Sequence, residues 1–158
     1  MLNELRAAVD GVVGVPTDEL ADGALRAELL LVAREIDRLE HRRARLLAAI
    51  HRRGIPNADG AGSTPAWAQH LTGQPRRDAR NSLGAGLTCD ELPLTSKAWA
   101  QGEISTGAAL AICHGRPQGH EDAYAAIEDT LVEFASAHDW HGLLASVAHA
   151  RRCADALD

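Results

Sequence analysis

Eight histidines and three cysteines are the side chains of this 158-residue chain best suited to hold a metal or attack a substrate. Zinc needs three or four convergent ligands. The nearest sets are His138 with His141, and His149 with Cys153 one helical turn later, and neither closes a site. His120-Glu121 lacks the second histidine of an HExxH helix. Cys89, Cys113 and Cys153 are odd in number, widely spaced and without a CxxC pair, which fits a reducing compartment and neither a disulfide framework nor a thiolate zinc site. No Ser-His-Asp arrangement, P-loop or GxGxxG stands out. The expectation is therefore no catalytic residue, no metal, no cofactor and no small-molecule substrate.

Arginine is the other chemistry-bearing residue, and it is unevenly placed. The chain carries a net charge of -6, yet residues 34 to 80 hold ten arginines against five acids. Such a basic segment in an acidic chain is what a nucleic-acid backbone would attract. Arg34, Arg38, Arg42, Arg45, Arg52 and Arg53 give one helix a basic sector, although Glu35, Asp37 and Glu40 on the same helix also fit a solvated outer face.

The elements that position these residues should all be helical. The 46% apolar content comes mainly from Ala and Leu, with one Phe, one Tyr and three Trp, so strand formers are scarce. A long helix is expected from Asp22 as N-cap to Gly54 as stop. Leu25, Leu29, Val32, Ile36, Leu39, Leu46 and Ile50 follow alternating steps of four and three, with Arg43 as the polar member, which is a heptad seam. At ~1.5 Å per residue the helix extends roughly 46 Å, so it packs along several helices or joins a dimer. Arg43 either pairs with an acid and fixes register, or buries its stem and sends its head to water.

A short helix is expected over 3–13, a loop over 54–62, and a helix over 66–72 with Thr64 as N-cap, Pro65 at its first position and Gly73 as stop. Pro75 opens the next helix, which carries Arg76, Arg77 and Arg80 and weakens through Asn81-Ser82 and Gly84-Ala-Gly86. Further helices are expected over 94–101, from a Ser105 cap to His114-Gly115, over 120–137 with Tyr124, Ile127, Leu131 and Phe134 on one face, and from Asp139 with Leu143, Leu144, Val147 and Ala148 inward. Trp67, beside Leu71, reads as a core anchor more readily than as a base-stacking platform. The whole is expected to be one all-α domain, 1–158, a multi-helix bundle on the long helix. Its parts are 1–53, a central cluster at 58–114 and a helix pair at 118–158.

No apolar run approaches the roughly 20 residues that span a bilayer, and the start lacks a secretory leader. A cytoplasmic location without a membrane partner is expected.

Three segments together carry a family resemblance. They are Ala58-Asp-Gly-Ala-Gly-Ser-Thr-Pro-Ala-Trp-Ala-Gln-His-Leu-Thr-Gly73, Leu92-Pro-Leu-Thr95 and Ala100-Gln-Gly-Glu-Ile-Ser105. They resemble the domain of unknown function of the 13E12-repeat proteins of high-GC Gram-positive bacteria, and the long arginine-rich helix before them and the paired helices after them are similar too. The resemblance implies an accessory domain that precedes a linker and an HNH endonuclease domain. The His-led metal motif of an HNH site is not found here, so the resemblance implies no enzyme in this chain. Gln74-Pro75 and the glycines at 84 and 86 depart from the family pattern and should weaken the second helix.

The helix at 64–72, the turn at Gly73 and the helix from 75 have the order of a helix-turn-helix, whose second helix enters the major groove. Two short helices joined by a glycine are also common in any helical domain. The candidate nucleic-acid-binding residues are Arg76, Arg77, Arg80, Arg42, Arg45, Arg52 and Arg53. The leading functional expectation is a DNA-binding or DNA-targeting accessory module. The alternative is a dimerisation or protein-interaction module, joined through the long helix, that does not bind nucleic acid.

Overall fold

Helical spacing of Leu, Ala and Val governs the chain from one end to the other. The computed structural model describes residues 1–156, which form ten α-helices and one 3-10 turn with no strand among them. In order these are α1 (Leu2–Val13), a 3-10 turn (Thr17–Glu19), α2 (Asp22–Arg52), α3 (Ile55–Ala58), α4 (Thr64–Thr72), α5 (Arg76–Thr88), α6 (Pro93–Ala100), α7 (Thr106–Gly115), α8 (Glu121–Ala125), α9 (Glu128–Ser136) and α10 (Trp140–Asp155). The protein is all-α, as its composition requires. No helix among the described residues is long and apolar enough to cross a membrane.

Contacts divide the chain into two units, residues 1–33 and 34–158, a division that the one-domain partition does not contain. The boundary falls within α2. The first unit comprises α1, the 3-10 turn and the first twelve residues of α2, and no residue in it is buried.

The second unit holds the core. One cluster gathers Leu92, Trp99, Ile104, Ile112, Tyr124, Leu131 and Leu143 from α6, α7, α8, α9, α10 and their connections. Its polar atoms are satisfied internally: Trp99 Nε1 donates to Thr106 Oγ1 at 3.1 Å, and the Tyr124 hydroxyl donates to the Ile112 carbonyl at 2.9 Å. A smaller cluster joins Leu47 of α2, Ala68 of α4 and Ala79 and Leu83 of α5, with Trp67 packed against it. Trp67 also donates from Nε1 to Asp59 at 2.9 Å, so it is an anchor, as expected.

Several local expectations shift. Ser63, not Thr64, caps α4, its hydroxyl accepting from Ala66 N–H at 3.3 Å; Thr64 is the first helical residue. The loop after Gly54 contains the one-turn helix α3, seeded by Pro56 in its first turn. The single helix expected over 120–137 is broken at Ala126-Ile127 into α8 and α9, although Tyr124 and Leu131 are buried as their spacing requires. In α10 the buried stripe is Leu143, Val147 and Ala154, whereas Leu144 and Ala148 face solvent. Ser105 caps α7 by accepting from Ala108 N–H, as expected, and Asp139, where the last helix was expected to open, caps α10 by accepting from Gly142 N–H.

Candidate nucleic-acid interface

The order helix, glycine turn, helix is realised at α4, Gly73 and α5. Gly73 has φ of +73°, the left-handed conformation that ends α4, with its N–H donating to the Gln69 carbonyl at 2.9 Å. Pro75 precedes the first residue of α5 in extended conformation, and no side chain caps this helix. The N–H groups of its first turn are therefore left for an anion or water, with Asp78 as the one acid nearby.

Only the beginning of α5 faces solvent. Arg76, Arg77, Asp78 and Arg80 are exposed, and every residue from Asn81 to Thr88 is buried or half-buried. Such a helix cannot lie lengthwise in a groove as a recognition helix does; it can approach a polyanion only by its N-terminal end. Arg76 spends one guanidinium nitrogen on Ser63 Oγ at 3.3 Å, which ties the two helix starts together. Arg77 and Arg80 make no hydrogen bond or ion pair among the described residues, and the same holds for Arg42 and Arg53 on and just after α2.

The remaining arginines of the basic segment work within the fold. Arg45 donates to the Gly86 carbonyl at 2.9 Å and to Asp90 at 2.6 Å, and Arg52 closes on the other oxygen of the same carboxylate. Both were expected at a nucleic-acid surface, and both are held by the segment that follows α5. Arg34 donates to the Gln101 carbonyl at 2.9 Å, and Arg38 donates to the Ala100 carbonyl and to both oxygens of Glu35. From the same face of α2, Asp37 accepts from Thr106 N–H at 2.7 Å. The cations thus meet the carbonyl end of α6 and the carboxylate meets the amide end of α7, each in the sense the helix dipoles favour. Arg43 pairs with Glu40, one turn earlier on the same helix.

Asp90, absent from the expected residues, is the counter-ion that binds α2 to the end of α5. Its partners lie 45 and 38 positions away, so no local pattern marks it. The Arg45 hydrogen bond, supported by the charges of both arginines, holds its carboxyl below its ordinary 3.8. A depressed folded value means that the stabilisation is present above the unfolded pKa and fades as pH falls through the folded one. Asp90→Asn is thus expected to lose less than ~1 kcal/mol at neutral pH, because the carboxylate is half exposed. The gap to the parent should begin to close as pH falls through about 4, the ordinary aspartate value, and be gone below the depressed value of the folded carboxyl. Urea titrations over that pH range measure it.

The nucleophilic candidates are sequestered. Cys89 and Cys113 lie in the core, 3% and 4% exposed. Hydrogen bonding from the Cys113 thiol, helped by His41 and Ser96, draws the Cys89 thiol down, while the same partnership and burial push Cys113 up. Both thiols are buried away from solvent. His149 Nε2 stands 3.5 Å from Cys153 Sγ beside a shallow apolar pocket between α8 and α10. Among the described residues no three His, Cys, Asp or Glu gather as a metal site would need.

Comparison with known proteins adds no identity: no family model, curated protein or solved structure matches the chain.

Proposed function

We propose that this chain is a non-catalytic accessory module, of the kind that accompanies an HNH nuclease, and that it meets DNA end-on through the first turns of α5. The observation that carries this reading is the uncapped N-terminus of a 13-residue helix beside three exposed arginines, Arg76, Arg77 and Arg80. Cations at a helix start oppose the helix dipole, so each is better accommodated once a phosphate sits on the free N–H groups. Arg42 and Arg53, which have no internal partner among the described residues, are further backbone contacts in this reading, and Arg45 and Arg52 no longer belong to it. Contacts of this type hold phosphates rather than base edges, so the affinity is weakly sequence-dependent. The likeness to the 13E12-repeat domain points the same way, and a cytoplasmic setting belongs to the same proposal.

Fluorescence anisotropy on a mixed-sequence duplex at low salt tests it. Binding is expected to weaken steeply with salt. Replacing Arg76, Arg77 and Arg80 together by alanine should cost about tenfold or more in affinity and lower the salt slope by roughly 2 to 3, near one unit for each lost phosphate contact. Undetectable binding, or a triple variant that binds like the parent, removes the DNA reading. Sustained plasmid cleavage by the pure protein with magnesium or manganese removes the non-catalytic one.

A further inference from the structure

Two side chains of α10 serve neither the core nor a cap. This helix is held to the fold by Leu143, Val147 and Ala154, which are buried along one stripe. His149 and Cys153, one turn apart, lie outside that stripe and are exposed. Among the described residues each has only the other as polar partner, with His149 Nε2 standing 3.5 Å from Cys153 Sγ.

Zinc fixes the distance between its ligands. With about 2.3 Å to sulfur, about 2.05 Å to nitrogen and tetrahedral angles, a bound sulfur and nitrogen lie about 3.5 Å apart. The pair already has that separation. A spacing of four residues is also how a helix sets two ligands on one face in HExxH zinc sites. The turn that carries the pair is positioned by the packing of Val147 and Ala154, so the bite does not have to be assembled when the ion arrives.

Two ligands make half of a structural zinc site. His120 lines the same pocket beside α10, yet among the described residues no three His, Cys, Asp or Glu gather closely enough for a metal. A closed site therefore takes its other two ligands from outside the chain. A second copy supplies them, because a two-fold axis through the ion turns one His149–Cys153 pair into two. The product is a tetrahedral set of two thiolates and two imidazoles, the donors that suit zinc rather than a hard cation.

We infer that His149 and Cys153 are half of a zinc site, completed by the same two residues of a second copy, so that the ion joins two chains through α10. Each Cys153 thiol releases its proton to solvent as zinc binds, and the two thiolates neutralise the ion. Binding therefore strengthens as pH rises. The link uses none of the arginines assigned to DNA, and it stands or falls independently of that reading.

Zinc titration and sedimentation equilibrium of the full chain, kept reduced and without DNA, test this. Zinc should raise the mass from 16.8 kDa toward twice that value at micromolar protein, with one ion taken up per two chains. About two protons should be released per ion. Cys153→Ser and His149→Ala each delete two of the four ligands, because symmetry repeats the loss. Each should weaken zinc binding about a hundredfold or more and abolish the zinc-dependent pairing. Both residues are exposed, so circular dichroism should show helix content unchanged. His70→Ala, at an exposed histidine of α4, should take up zinc and pair as the parent does. A mass that zinc does not change overturns the proposal. So does one ion bound per chain, or pairing that survives either substitution in α10.

Discussion

Gly86→Ala is expected to destabilise the second unit by about 3 kcal/mol or more, while Gly84→Ala, two residues earlier in the same helix, leaves it unchanged or slightly firmer. Both substitutions make α5 a better helix in isolation, worth ~1 kcal/mol each, so propensity alone predicts two stabilised proteins. Space decides otherwise. A Cβ on residue 86 would stand 2.1 Å from the Ala44 carbonyl oxygen and 2.6 Å from its carbon. Those are backbone atoms of α2, and they cannot retreat without moving the helix. Moving it strains the Arg45 bond to the Gly86 carbonyl and the shared hold on Asp90. At residue 84 the nearest atom is 3.4 Å away, on the His114 ring, an ordinary van der Waals contact. Urea titrations of the two variants beside the parent give the comparison. A Gly86→Ala protein as stable as the parent would show that α2 and α5 do not cross this closely.

The same pair of glycines shows where sequence reasoning stops. Read locally, two glycines in thirteen residues signal a failing helix, and α5 was expected to weaken there. It continues to Thr88 because Gly86 gains in close packing against α2 what it lacks in propensity. Signals that act within a turn were legible: the stop at Gly73, the cap at Ser105, the start of the last helix at Asp139, and the heptad rows of α2. The helical spacing of Tyr124, Ile127 and Leu131, a step of three and then of four, was legible too. The break between them was not, since nothing near Ala126 marks it.

The candidate interface divides along the same line. Seven arginines were selected by charge and position, and all seven look alike in sequence. Folding separates them by partners far along the chain: Arg45 and Arg52 go to Asp90, while Arg77, Arg80, Arg42 and Arg53 stay without a counter-ion among the described residues. Asp90 itself gave no sign, because a single aspartate before a proline-led helix usually belongs to a turn. Ile36, Leu39 and Leu46 are the opposite case. Their heptad period was plain in the sequence, but only their exposure, with Ala44, Leu47 and Ala48 buried on another stripe, shows that they face away from the core.

Glu128 gives the second large effect. α6 begins at Pro93 with no side-chain cap of its own, so the amides of its first turn need an acceptor from elsewhere. Glu128, the first residue of α9, is 3% exposed and accepts the Thr95 N–H through Oε1 at 2.6 Å. A carboxylate at a helix N-terminus is favoured by the dipole as well as by the hydrogen bond. The break that separates α9 from α8 falls directly before this residue, so the cap and the break belong to one local arrangement. Glu128→Ala removes the acceptor, strands a buried N–H beside the already unpartnered Thr95 hydroxyl, and leaves a void against the core. The loss should be about 3 kcal/mol, the sum of an unmet buried donor and a small cavity. Glu128→Gln keeps an acceptor oxygen in place and gives up the charge, so about half of that loss is expected. Thermal and urea unfolding rank the three proteins. Amide hydrogen exchange adds a local reading, because faster exchange at Thr95 than across the rest of the core would trace the damage to the start of α6. Equal stability of Glu128→Ala and the parent would mean that the first turn of α6 draws its stability from elsewhere.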